Sequence, residues 1–243
     1  MVADLRRSMP RIGTRKLYSL LKPKFEKQGI KLGRDGLFKY LREHQLLVKP
    51  AKCYTKTTNS KHWMKKYPNL FESLDVEHAE QVFVSDITYI ETEEGVHYLS
   101  LVTDAYSRKI MGYELSDNMR SETVVKALRQ ATRQRQTQRK LIHHSDRGSQ
   151  YCSAIYQQEL KKHNIQPSMT DGYDCYQNAL AERVNGILKQ EFLLYKCRNL
   201  NELKCLVKES VSIYNHLRPH LSLNMRTPDE VHKEATSVGE VAS

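Results

Sequence analysis

Between residues 82 and 115, three β-rich runs follow one another with connections too short to hold a helix. They are VFVSDITYI (82–90), VHYLSLVTD (96–104) and RKIMGYEL (108–115), joined at Glu91–Gly95 and Ala105–Ser107. Such runs pair as an antiparallel meander, because a parallel connection needs a crossover of about a dozen residues or more. The pattern then alternates. A helix from about Ser121 to Gln134, with Ser121 as its N-cap, precedes the short strand KLIHHSD (140–146), and a helix near Ser153–His163 precedes the strand IQPSMT (165–170). Helices over about Gln177–Tyr195 and Asn201–Leu217 follow. A meander passing into helix–strand alternation predicts an α/β domain, a mixed sheet flanked by helices.

The segment upstream has a different texture. Ile12, Leu17, Leu20, Leu21 and Phe25 recur at roughly helical spacing despite Pro23. Gly29 interrupts them, and Leu37, Phe38, Leu41 and Leu46 resume the period. Two short amphipathic helices about a glycine turn outline a small all-α helix-turn-helix domain over residues 1–60. The run KPAKCYTKTTNSKHWMKKYP (49–68) is polar, basic and without period, so a linker is predicted over 61–77, with Trp63 packing on the next domain. The α/β domain is then expected over 78–197, and a helical tail over 198–243.

Charge separates the same regions. Residues 1–66 carry 18 basic and 4 acidic side chains, whereas residues 67–243 carry 21 basic and 24 acidic, so the whole net charge of +11 comes from the first quarter. A basic segment with its own apolar period is suited to a polyanion, and nucleic acid is the first candidate. Arg15, Lys16, Arg34 and Lys39 are its candidate phosphate contacts. No run of about eighteen uncharged apolar residues occurs, which argues against a membrane span. The N-terminus lacks the apolar stretch of a signal peptide, so the protein is expected in the cytoplasm, associated with the nucleoid. The five cysteines form no CxxC pair and read as reduced, mostly buried thiols rather than a zinc module.

Three carboxylates carry the chemistry. Asp86 stands inside an apolar strand, where a charge is costly unless a partner such as a metal ion compensates it. Asp146 ends the strand LIHHS just before Arg147–Gly148, at the carboxyl end of a strand where α/β sites gather. Glu182 lies on the long helix, whose buried stripe is Leu180, Val184, Ile187 and Leu188. Asn178, Glu182, Asn185 and Lys189 recur on another face. The 35 residues between Asp146 and Glu182 suffice for a helix, a strand and a return to the sheet end.

HHSDRGSQY (143–151), SDITYI (85–90) and QNALAERVNGILKQE (177–191) closely resemble the catalytic segments of integrase-like DDE transposases. More narrowly they resemble the OrfB-type proteins of bacterial insertion sequences, relatives of the retroviral integrases. YNHLRPHLSLNMRTPDEV (214–231) resembles that family's C-terminal signature, YN-x-x-RPH followed by a TP segment. Val84 stands where the family often has Trp and Gln177 where it commonly has Asp, but neither position is one of the acids. The zinc-binding His/Cys module of retroviral integrases has no counterpart, and His143 and His144 read as strand-end, site-lining residues.

The resemblance implies a ribonuclease-H-like fold with Asp86, Asp146 and Glu182 holding Mg²⁺ or Mn²⁺, two ions in all. It implies cleavage at terminal inverted repeats and joining of the new 3′ end to target DNA, by a homo-oligomer on DNA. It also implies fusion with, or binding to, the product of an upstream reading frame. Lys189, two turns or roughly 10 Å beyond Glu182, is expected on a backbone phosphate, and Asn178 on a base edge or sugar. The alternatives are a structure-selective nuclease of the same fold and a catalytically inactive DNA-binding regulator of the element.

Overall fold

The computed structural model describes residues 1–49, 63–72, 74–171 and 178–237. Its centre is a five-stranded sheet of β1 (Val82–Thr92), β2 (Gly95–Asp104), β3 (Ile110–Ser116), β4 (Leu141–Ser145) and β5 (Ile165–Met169), in the order β3-β2-β1-β4-β5. The β1–β2 and β2–β3 pairs are antiparallel, while β1–β4 and β4–β5 are parallel. The short connections of the meander enforce the first pattern, and the helices α4 (Ser121–Arg133), α5 (Ser149–Cys152) and α6 (Ala154–Lys162) supply the crossovers for the second.

Alternation along β1 builds two cores. Phe83 packs with Val102, Met111 and the apolar stripe of α4, along with Tyr156 and Leu160 of α6. Val82 and Val84 face the other way, toward Ala181 of α7 (Ala179–Ile187). The close approach of α4 explains Gly112 on β3. A Cβ there would collide with the Ala127 carbonyl oxygen and come within 2.7 Å of the Ala131 nitrogen.

The N-terminal helices α1 (Val2–Ser8), α2 (Thr14–Lys27) and α3 (Arg34–Glu43) bury Leu17, Leu21, Phe25, Leu37 and Leu41 among themselves. Their cluster is continuous with Leu99, Leu101, Ile110 and Leu115 of the sheet, and with α7 and α8 (Leu200–His216). These helices therefore share a core with the face of the sheet that carries α7. Pro23 is accommodated inside α2, and α1 carries no periodic signal strong enough to have been read from the sequence.

Several expectations are corrected. The N-cap of α4 is Arg120 rather than Ser121, and no side chain caps it; Thr123 Oγ1 instead donates to the Arg120 carbonyl at 2.6 Å. α7 does not run as a regular helix to Tyr195 but passes at Leu188–Phe192 into a π turn, and Gln177 lies outside the described residues. Trp63 is 94% exposed; Met64 and Tyr67 pack on the α4–α6 core in its place. Cys152 and Cys197 are buried but Cys205 is exposed, and Cys53 and Cys175 lie outside the described residues, as do residues 50–62 of the basic run. Among the described residues, no helix is long and apolar enough to cross a membrane.

The tail is wired to the sheet. Asn215 of α8 accepts from the Ile110 N–H and donates to its carbonyl, both at 3.0 Å, pairing with the outer edge of β3 as a strand would. Thr227 and Glu230 form a reciprocal capping box, and Pro228 takes the first position of α9 (Pro228–Ser237), which is the physical content of the TPDE segment. α9 places His232 in a fully buried charged cluster at the entry to β1. Glu80 accepts from the Gln136 N–H at 2.8 Å and the Thr137 N–H at 2.7 Å. His232 lies 3.5 Å from Glu80 and 3.8 Å from Asp104.

Candidate active site

The site is built where a short strand ends beside a long one. The β1–β4 ladder runs only from Val82 to Val84, whereas β1 continues to Thr92. From Asp86 onward, β1 therefore has no strand partner on its β4 side among the described residues, and Asp146 follows directly where β4 stops. This geometry tolerates a carboxylate within an otherwise apolar strand.

Each acid is held differently. Asp86 accepts from the Ile87 N–H at 2.9 Å and from the Asn185 amide at 2.8 Å. Burial, and then repulsion from Asp146, push its carboxyl up to about 7, against the two hydrogen bonds that favour the charged form; Glu182 adds further repulsion. Asp146 Oδ1 accepts from the Gly148 N–H at 2.9 Å. A Cβ on Gly148 would sit 3.0 Å from that oxygen, so the Asp-Arg-Gly sequence turns tightly around its own carboxylate. Glu182, in the first turn of α7, is exposed, and its carboxyl is raised by partial desolvation and by Asp146.

The structure thus brings the three acids into mutual electrostatic reach. Among the described residues, however, no three such side chains stand close enough to close around a cation. The donor set nevertheless fits a hard divalent cation. It is all oxygen, and each member makes the next harder to ionise without a compensating positive charge.

The other predicted residues fall into two groups. Arg15, Arg34 and Lys39 are exposed on α2 and α3, Arg34 bonded to Asp35 at 2.9 Å and Lys39 within 4.0 Å of Glu43. Lys189 lies in the π turn with its ammonium 4.3 Å from the centre of the Tyr89 ring. Lys16 and Asn178 are not where a DNA contact needs them. Lys16 is 13% exposed and turns inward to Glu191 at 3.3 Å, because that carboxylate is buried beside it. Asn178 is 5% exposed, and its amide donates to the Ser85 carbonyl at 3.1 Å, tying the start of α7 to β1.

His143 and His144 do not line the site either. Both are buried, His143 within 2.8 Å of Ser85 Oγ and 2.9 Å of the Tyr156 hydroxyl, and His144 within 2.9 Å of Ser168 Oγ. Burial pushes the His143 ring down to about 3, so it stays neutral and structural.

Two further residues hold the site's framework in place. Asn185 was recognised only as part of a polar face, yet it orients Asp86. Glu191 accepts two bonds from Arg218, at 2.8 and 2.7 Å, with Lys16 on the same carboxylate. Burial alone would raise the Glu191 carboxyl; Arg218 and Lys16 hold it below the usual range instead. The signal was available as an acid between apolar Leu188 and Phe192–Leu193, and as an arginine in a fixed motif.

A ribonuclease-H-like sheet with one acid in its first strand, one directly after its fourth and one on the helix after its fifth defines an integrase-type core. Residues 76–175 match the integrase core domain family, and residues 163–228 match a second integrase core domain model. The chain is 37% identical over 219 residues to the insertion element IS600 uncharacterized 31 kDa protein of Shigella sonnei, covering 89% of this chain and 79% of that protein. It is 34% identical over 192 residues to the transposase InsF for insertion sequence IS3A of Escherichia coli, covering 79% of this chain and 65% of that one. The fold resembles the HTLV-2 integrase catalytic core domain, determined in complex with magnesium, at TM-score 0.52 and 21% identity over 63% of this chain and 96% of that one. It also resembles a chain of the simian T-cell lymphotropic virus intasome, at TM-score 0.58 and 18% identity over 90% of this chain and 74% of that one. The chain belongs to the integrase-core family of insertion-sequence transposases.

Proposed function

We propose that this chain catalyses DNA strand cleavage and strand transfer at the terminal inverted repeats of an insertion sequence, with Asp86, Asp146 and Glu182 as its catalytic, metal-holding residues. The observation that carries the reading is the electrostatic coupling of these acids at the β4-side edge of β1. Asp86, whose carboxyl is raised to about 7 by burial and by its two acidic neighbours, gains from a cation that offsets that crowding of negative charge. Two magnesium or manganese ions held there would activate the attacking oxygen and offset charge on the leaving oxygen.

In cleavage, the oxygen of water attacks the terminal phosphodiester and the 3′ oxygen departs as a hydroxyl. In transfer, that 3′ hydroxyl attacks a target phosphodiester and displaces a target 3′ oxygen. Asn185 keeps Asp86 turned toward the site. Lys189 meets a backbone phosphate of the bound end as a point charge, and Arg15, Arg34 and Lys39 supply phosphate contacts from the N-terminal helices. In this reading the chain acts as a homo-oligomer on DNA, fused with or bound to the product of an upstream reading frame. The inhomogeneous charge of the chain supports DNA as the ligand.

The test uses Asp86→Asn, Asp146→Asn and Glu182→Gln with terminal-repeat DNA. Each is expected to keep end binding and to lose divalent-ion-dependent cleavage and joining. Cleavage at the normal rate by any one of them removes that acid from the site. Lys189→Ala is expected to weaken end binding and to lower its salt dependence by about one phosphate contact. Lost chemistry at unchanged affinity would instead put the lysine among the reacting groups.

A further inference from the structure

A mostly apolar pocket of about 250 Å³ lies against the catalytic strand, lined by Ile87, Thr88, Tyr89, Val96, Tyr98 and Met119. It is smaller than the roughly 300–1,000 Å³ of sites for drug-sized ligands, and of a size for one planar ring system. Tyr89 and Tyr98 are register partners across β1 and β2, so their rings stand side by side on one face. Val96, at its outer end, is 45% exposed.

Both aspartates adjoin this pocket through the chain. Ile87, in its wall, donates its N–H to Asp86 at 2.9 Å. Met119, in the opposite wall, has its carbonyl held at 3.1 Å by the amide of Gln150. Gln150 and Asp146 both face the α-carbon of Gly148 closely enough that an added Cβ would lie 3.3 and 3.0 Å from their oxygens. A cation completes the surroundings, since the Lys189 ammonium rests 4.3 Å from the Tyr89 ring centre.

The pocket opens on the face of β1 opposite to Asp86, because residues 86 and 87 alternate across the sheet. The β4-side edge of β1 beyond Val84 joins the two faces. We propose that this pocket receives a single nucleobase that has left the duplex stack, belonging to a nucleotide beside the phosphate that reacts at Asp86 and Asp146. The sugar–phosphate strand passes over this edge of β1, its phosphate meets Lys189, and its base turns over the edge against the rings of Tyr89 and Tyr98. Rings of this kind accept any base by stacking, so the pocket selects for an unpaired base rather than for its identity. An enzyme that must reach a buried bond gains by binding a distorted end, because unstacking then favours the reactive arrangement.

This inference rests on the transposase reading above, and its test separates the two. Full-length protein is titrated, in calcium to prevent chemistry, with short terminal-repeat duplexes whose last pairs are either matched or mismatched. An already unpaired base removes the cost of unstacking, so wild type is expected to bind mismatched ends about tenfold more tightly. Tyr98→Ala and Met119→Ala are expected to lose that preference while keeping matched-duplex affinity and a wild-type melting profile. Tyr98→Phe, which keeps the ring, is expected to retain the preference and serves as the control for folding. Equal preference in wild type, Tyr98→Ala and Met119→Ala overturns the pocket. Joining of ends in magnesium by a wild-type protein that shows no preference for mismatched ends overturns the pocket and leaves the transposase reading standing. A protein that neither binds nor joins ends overturns the transposase reading and the pocket with it.

Discussion

Removing the Arg218 side chain tests whether the RPH signature is a structural lock. The guanidinium is 1% exposed, donates to both oxygens of Glu191 at 2.8 and 2.7 Å, and reaches His220 Nε2 at 3.0 Å. Breaking a buried ion pair by deleting one partner costs about 3–5 kcal/mol, because the surviving charge is left desolvated. Arg218→Met leaves Glu191 with Lys16 at 3.3 Å, a longer single contact, so the lower end of that range, about 3 kcal/mol, is expected. Glu191→Gln costs more, because it leaves Lys16 and Arg218 facing each other as buried like charges. For a chain of this size, about 3 kcal/mol lowers the melting temperature by roughly 6–12 °C. The assay is thermal and urea denaturation of both single variants and the double variant Glu191→Gln/Arg218→Met. The double variant should lose clearly less than the two single losses combined, since only Lys16 is then left without its partner. Melting of Arg218→Met within about 1 kcal/mol of wild type, or strict additivity, would show that the pair is not the lock described.

Three further outcomes follow from the geometry. Burial would raise Glu80, but His232 and the amides of Gln136 and Thr137 bring it down to about 2, while Asp104 and Glu80 lift His232 above its ordinary value against its own burial. Glu80's contribution, about 3 kcal/mol, is present above pH about 4.5 and lost as pH falls toward 2. His232's is present below about 6.5 and lost as pH rises through its folded value. Stability should therefore peak between those limits, and Glu80→Gln should flatten the acid limb in urea titrations across pH; an unchanged limb would contradict the cluster. Gly112→Ala drives a methyl into the Ala127 carbonyl and should cost about 3 kcal/mol or more by denaturation, unless β3 and α4 separate freely. Asn185→Ala removes the amide that orients Asp86 and should slow cleavage about 10–100-fold with end binding intact, a full-rate variant being the contrary result.

Much of this fold was legible because it is local. The meander declares itself by connections too short to be anything else, and β1 and β2 were read to within about two residues. The α6 N-cap at Ser153, accepting from the Tyr156 N–H, is likewise a local signal. What could not be read depends on partners distant in sequence. Lys16 looks like any basic surface residue until Glu191, 175 positions away, buries it. Asn178 shares a helical face with Glu182, but its amide is claimed by Ser85, 93 positions away. Trp63 went wrong for the opposite reason: hydrophobicity predicted packing, and the apolar neighbours Met64 and Tyr67 occupied that surface.

The C-terminal signature acquires a role from these contacts. Tyr214 is buried and donates to the Arg108 carbonyl at 3.1 Å, and Asn215 completes the edge of β3 at Ile110. Both fasten α8 to the sheet, and Arg218, just beyond the end of α8, reaches Glu191 in the π turn. That turn continues α7, so the helix bearing Glu182 and Asn185 is clamped at its far end by a residue from the tail. Its near end is tied to β1 by Asn178, one position before α7 and at the Ser85 carbonyl next to Asp86. The same Glu191 carboxylate receives Lys16 from α2, in the segment that carries the positive surplus of the chain. A π turn holds one more residue per turn than the α-helix around it, and such turns recur at functional sites. Here the turn swings Lys189 toward Tyr89 while leaving Glu191 directed at Arg218 and Lys16. Any displacement of the basic N-terminal helices must therefore pull on the turn that follows α7. The signature YN-x-x-RPH, remote in sequence from all three acids, holds the far end of the helix that bears Glu182, as Asn178 holds its near end.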